Sequence, residues 1–113
     1  MKFGVESEVD GSVTTLVVSG DVDIQTSPRL RNRIEETLAP DRHLIIDLTR
    51  VEFMDSTGLG VLVAGLNRAK QIGASLSLVC DGVRVLKLFE MTGLTETFAI
   101  HATRGQAIAA TRE

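Results

Sequence analysis

Five consecutive residues, Leu44-Ile45-Ile46-Asp47-Leu48, include four large apolar side chains and lack the alternation of a strand with one wet face. Successive strand residues point to opposite faces, so such a run needs cover on both, as strands between helices in a parallel sheet have it. The flanking segments supply those helices. Upstream, Ser27 reads as an N-cap ahead of the first-turn residue Pro28, and Leu30, Ile34 and Leu38 repeat at helical spacing as far as Pro40. Downstream, Leu59, Leu62, Val63, Leu66 and Ala69 trace a second stripe that stops at Gly73, with Asp55 or Ser56 supplying its cap.

The rest of the chain extends this alternation. Phe3, Val5 and Val9 recur at even spacing up to Asp10-Gly11, and Val13 to Ser19 is rich in β-branched residues, which predicts an opening hairpin. Leu76, Leu78 and Val79 form a strand; Asp81 can cap a helix carrying Val85, Leu86, Leu88 and Phe89, which ends near Gly93. Phe98 and Ile100 alternate as a short strand, and Gln106 to Thr111 reads as a last helix. The expected fold is one α/β domain over residues 1–113, a mixed, mostly parallel sheet with an N-terminal β-hairpin and about four helices. Function in such sheets gathers at the carboxyl ends of the strands, which selects two loops, residues 20–26 and 49–60.

Charge and residue types narrow the function. A net charge of −3 and a pI near 5.4 argue against a nucleic-acid binder, because neutralising phosphates needs a basic face and the arginines here are scattered among carboxylates. No apolar run approaches the ~20 residues that span a bilayer and no signal peptide opens the chain, so a cytoplasmic protein without a membrane partner is expected. The single cysteine, Cys80, ends an apolar run and reads as a buried structural thiol. His43 and His101 fall in different segments with no ligand spacing, so no metal is expected. Gly58, Gly60 and Gly65 do not make a dinucleotide loop, because Val63 stands where the third glycine of the pattern belongs. No nucleophile has a recognisable base and orienter, so the chain reads as a binding module with no cofactor. A receiver-like or flavodoxin-like ligand domain is the alternative. Against it, Asp47 lies within a strand, no lysine ends the last strand, and there is no Trp or Tyr.

One segment carries distinctive chemistry. Phe53-Met54-Asp55-Ser56-Thr57-Gly58-Leu59-Gly60 places hydroxyls at a helix N-terminus, just after two large apolar side chains. Serine there is a favoured cap, but free N–H groups and the positive dipole end also tolerate a phosphate. Gly20-Asp21-Val22-Asp23 places two carboxylates in the other loop, which the topology can bring to the same end of the sheet.

Asp47-Leu48-Thr49 and Phe53 to Leu62, together with Gly20-Asp21-Val22-Asp23 and the approach Gly73-Ala74 to Leu76–Leu78, resemble bacterial anti-sigma factor antagonists of the STAS domain family over nearly the whole chain. The resemblance implies a partner-switching cycle. The unphosphorylated antagonist binds an anti-sigma factor that is also a serine kinase and releases its sigma factor; the kinase then phosphorylates the antagonist, and a phosphatase acting on that serine restores it. By motif position, Ser56 is the phosphoacceptor, with Thr57 a second hydroxyl beside it. Asp21 and Asp23 lie in the partner-contacting loop, and Met54, Asp55, Thr57, Gly58 and Gly60 frame the docking surface. ATP and magnesium belong to the kinase. Other STAS modules occur in stress-signalling and lipid-transport complexes, so the fold leaves those partners as alternatives.

Overall fold

The computed structural model describes residues 2–112. Its elements follow one another as β1 (Gly4–Asp10), β2 (Val13–Val22), α1 (Ser27–Thr37), β3 (His43–Met54), α2 (Ser56–Ile72), β4 (Ser75–Val79), α3 (Val83–Met91), β5 (Ile100–His101) and α4 (Arg104–Ala110). The five strands form one sheet in chain order. β1 pairs antiparallel with β2, and every later pairing is parallel, as the sequence predicts.

The apolar run of β3 is divided between two faces. Leu44, Ile46 and Leu48 join Leu16, Val18 and Leu78 in the main core, roofed by Leu30 and Ile34 of α1, Leu62 and Leu66 of α2, and Val85 and Phe89 of α3. Each crossover links neighbouring strands, so connections of a single hand put all three helices on one face. Ile45 points the other way and meets Val13, Val79 and Ala107 beneath α4. Full burial of each such aliphatic side chain contributes roughly 1.5–3 kcal/mol.

Asp47 is the polar member of the run, and it faces α4. Only 4% exposed, it needs partners for its charge and has them. Oδ2 accepts from Arg104 Nη2 at 3.2 Å, and Oδ1 accepts from the Thr49 backbone N–H at 2.9 Å and its hydroxyl at 2.7 Å. Arg104 also reaches Glu8 of β1 at 2.9 Å, which ties α4 across β3 and the edge strand. Cys80 is buried, and that burial pushes its thiol pKa up, toward the unreactive protonated form. No helix among the described residues is long and apolar enough to cross a membrane.

Several local expectations are corrected. Thr26, not Ser27, holds the N-cap position of α1; Ser27 is buried as the first helical residue. Gly82 stands at the N-cap of α3 without a side-chain bond, so Asp81 does not cap it. Phe98 lies ahead of a two-residue β5 and packs edge-on against Phe89 at 5.8 Å, so core packing rather than pairing fixes it. α4 begins at Arg104, where Thr103 caps it by accepting from the Gln106 N–H at 3.1 Å.

The largest difference is in the two loops. β2 runs on to Val22 and β3 to Met54, so residues 49–54 are strand and the connection to α2 is Asp55 alone. Thr49, Arg50, Glu52 and Phe53 are exposed while Val51 and Met54 are buried, a spacing that lacks the two-residue period of a strand. Register shifts against β2 between Val17 and Ser19 and between Gly20 and Asp21 account for it, because a bulge resets which residues face inward. Gly20 makes that path possible: its φ is +85°, and a Cβ there would stand 2.6 Å from the Lys2 carbonyl oxygen.

Candidate functional site

The extended strands bring the two motifs together. Val22 pairs with Met54, and the Asp55 N–H donates to the Val22 carbonyl at 3.1 Å. The next residues in each chain segment are Asp23 and Ser56. Both motifs therefore lie side by side at the carboxyl ends of neighbouring parallel strands.

At the start of α2 the sequence left Asp55 and Ser56 as alternative caps, and the structure assigns the role to Asp55. Its Oδ1 accepts from the backbone N–H groups of Thr57 at 2.9 Å and Gly58 at 3.3 Å, and from the Thr57 hydroxyl. The Thr57 hydroxyl holds the Asp55 carboxyl below its ordinary pKa; partial burial opposes this, and the two backbone N–H groups reinforce it. Asp55 is thus ionised at neutral pH and occupies the positive end of the helix.

The two adjacent hydroxyls consequently differ. Thr57 is half-buried and donates to Asp55, whereas Ser56 is exposed and its hydroxyl makes no hydrogen bond among the described residues. Ser56 is therefore the more accessible of the two hydroxyls. The expectation of several free N–H groups for a phosphate needs correction, because Asp55 has already taken those of Thr57 and Gly58 and the Leu59 N–H is bonded to the Asp55 carbonyl.

The acidic loop is a built turn. Asp23 Oδ1 accepts from the backbone N–H groups of Gln25 at 2.9 Å and Thr26 at 3.1 Å, while the Thr26 hydroxyl donates to the Asp21 carbonyl at 2.8 Å. Asp21 and Asp23 are both half-exposed, and Ile24 between the strand and the helix is 73% exposed. Sequence reasoning singled out the carboxylates but missed Thr26, whose signal was a threonine three residues after an aspartate.

The glycines separate into two roles. A Cβ at Gly58 would stand 2.8 Å from both Met54 Cγ and Val22 Cγ1, so this glycine lets the helix start seat on the ends of β2 and β3. Gly58 and Met54 are buried and shape the site from below. Gly60 is exposed in open space, and Ser56, Gly60 and exposed Ala64 follow at four-residue intervals on one face of α2. That face is low enough for another backbone to approach closely.

An exposed hydroxyl with no hydrogen-bond partner among the described residues thus stands at the strand ends of this α/β domain, beside an acidic turn. Residues 4–107 match the STAS domain, and the chain belongs to that family. The anti-sigma-B factor antagonist of Listeria monocytogenes is 33% identical over 108 residues, covering 94% of this chain and 95% of that protein. The anti-sigma-B factor antagonist of Bacillus subtilis is 32% identical over 102 residues, covering 90% and 94%. In structure, the chain is similar to an anti-sigma factor antagonist from Mycobacterium paratuberculosis with a TM-score of 0.89 and 30% identity, over 99% of this chain and 96% of that one.

Proposed function

We propose that this protein is a cytoplasmic anti-sigma factor antagonist, which binds an anti-sigma factor with serine kinase activity, frees the sigma factor, and is switched off by phosphorylation at Ser56. The contrast between Ser56, exposed and unengaged, and Thr57, half-buried and bonded to Asp55, carries the choice of phosphoacceptor. Asp21, Asp23, Asp55, Thr57 and Gly60 frame the surface, and Met54 and Gly58 set its shape from beneath. A phosphatase acting on phosphorylated Ser56 closes the cycle. The protein itself supplies no chemistry, and ATP and magnesium are bound by the kinase.

Phosphorylation adds about −1.5 to −2 charges and three acceptor oxygens. Here they arrive beside the ionised Asp55 and the carboxylates of Asp21 and Asp23, with the nearest helix N–H groups already taken. The phosphate projects outward as bulk and negative charge, where a partner packed along Ser56 and Gly60 must meet it. A loss of ~1.4 kcal/mol in that contact is tenfold in affinity, enough to return a closely contested partner to its sigma factor.

The test is incubation of wild type and Ser56→Ala with the cognate kinase and ATP, phosphate mapping by mass spectrometry, and affinity measurement for both forms. Phosphate on Ser56 of wild type alone, with weaker binding by the modified form, is the expected result. Phosphate on Thr57, or equal affinity of the two forms, would sink the switch.

A further inference from the structure

Beside Ser56, on the side away from the acidic turn, a groove of about 350 Å³ runs between the end of β3 and α3. α3 buries Val85 and Phe89 in the core, yet it carries a second stripe, Arg84, Lys87, Leu88 and Met91, at helical intervals along the groove. Phe53 of β3 forms the facing wall. Phe53 is 50% exposed and Met91 75%, so a largely apolar trough opens three residues before the phosphoacceptor. Such a trough next to a binding surface is where an anchoring side chain gains most from desolvation.

The charges around it are uneven. Arg84 and Lys87 flank the groove with Glu52 as the lone carboxylate in its lining, and among the described residues neither cation forms an ion pair. This is a locally basic rim on a chain of net charge −3. On the other side of β3, β2 ends at Val22 between Asp21 and Asp23. The phosphoacceptor therefore sits between an acidic turn and a basic apolar groove, an arrangement that can be read in only one orientation.

We propose that the groove seats an apolar side chain flanked by carboxylates, contributed by the anti-sigma factor, and that this anchor selects the partner and orients it on Ser56. The inference rests on the antagonist reading and adds an anchoring subsite to it, separate from the phosphorylated residue. Phe53, Leu88 and Met91 hold the apolar group, and Arg84 and Lys87 pair with the carboxylates.

The test measures binding of the purified cognate anti-sigma factor without ATP, so that no phosphate is transferred, for wild type, Met91→Ser, the double variant Arg84→Glu with Lys87→Glu, and Lys70→Glu as a charge control at the far end of α2. The substituted groove residues are exposed, and thermal melting checks that each variant is folded. Met91→Ser and the double variant should each weaken binding at least tenfold, the double variant losing most at low salt, while Lys70→Glu stays within twofold. With ATP added, the groove variants should show a raised KM for phosphorylation, little change in kcat, and phosphate still on Ser56. Groove variants that bind like wild type, with Ser56 still phosphorylated, overturn the anchor alone. Weakened binding by the groove variants, with no phosphate on Ser56 in wild type, overturns the switch and leaves the anchor standing. A wild-type dimer that Met91→Ser dissolves without loss of anti-sigma affinity assigns the groove to a second copy of this chain and also overturns the proposal.

Discussion

The backbone N–H of Asp55 donates to the carbonyl of Val22 at 3.1 Å, and that bond joins the two halves of the site. It is the last parallel contact between β2 and β3. One residue further on, the chains part into the Asp23 turn and into α2, so the spacing between the acidic turn and Ser56 is set by sheet geometry rather than by loop flexibility.

Gly58→Ala tests how tightly that junction is packed. The added methyl would meet Met54 Cγ and Val22 Cγ1, each at 2.8 Å, and neither atom is the free end of a long side chain. Overpacking of this kind costs about 1–3 kcal/mol. Denaturant unfolding should record a loss in that range, whereas Gly60→Ala, with open space around it, should keep or slightly raise stability. Equal stability of the Gly58 variant and wild type would show that the helix start is not seated as described.

Removing Asp55 should affect stability in a pH-dependent way. Its carboxyl pKa is lowered in the folded state by the Thr57 hydroxyl first, so its contribution is present above the ordinary carboxylate value and is lost as pH falls through the folded one. Asp55→Ala should cost about 0.5–2 kcal/mol at pH 7, the usual worth of an N-cap. The gap between wild type and variant should narrow at pH 3. A gap that stays constant from pH 7 to pH 3 would mean the cap does not act through its charge.

His43 shows a different dependence. Its ring nitrogens contact the hydroxyls of Ser75 and Ser77, and burial lowers its pKa, with His101 adding to the effect. A histidine depressed in the folded state binds fewer protons there than when unfolded, so stability is present above the ordinary value near 6.5 and falls as pH drops below it. Urea midpoints at pH 7.5 and 5.5 should differ more for wild type than for His43→Asn. The reverse order would contradict a half-buried imidazole whose pKa is lowered by folding.

The strand and helix order was legible because the β3 run and the two stripes around it have clear periods, and they are the elements that build the core. What the sequence concealed was the far end of β3. Thr49, Arg50 and Glu52 look like a polar loop, and only the register shifts against β2 explain why they belong to a strand. The cap was half-legible for a related reason: Asp55, Ser56 and Thr57 are all good caps by residue type, and backbone geometry decides which oxygen reaches the free N–H groups. Thr26 and the Arg104 clamp on Asp47 were not legible, since one acts through a local turn and the other spans 57 residues.

That clamp is open to test. Arg104→Met leaves Asp47 buried with only the Thr49 donors, and losing a hydrogen bond to a charged group costs about 1.5–3 kcal/mol. Asp47→Asn in the same background should recover part of the loss by removing the uncompensated charge. A double variant no better than Arg104→Met would assign the loss to the arginine's packing over β1 and β3.

Asp23 requires two substitutions, because its carboxylate builds the turn and is also proposed to meet the partner. Oδ1 builds the turn through the N–H groups of Gln25 and Thr26, while Oδ2 makes no hydrogen bond among the described residues. Asp23→Ala removes both roles, so a loss of binding in that variant could come from a loosened turn. Asp23→Asn keeps an acceptor oxygen in the same place and removes only the charge. Asp23→Asn should melt close to wild type, whereas Asp23→Ala should lose up to ~1.5 kcal/mol of stability along with the turn bonds. If the carboxylate pairs with a cation on the anti-sigma factor, both variants should bind more weakly, and the difference from wild type should shrink as salt rises. Calorimetric titrations at two ionic strengths, with melting curves of the same samples, separate the two roles. Wild-type affinity in Asp23→Asn at both salt concentrations would leave Asp23 as a turn-forming residue and remove it from the docking surface.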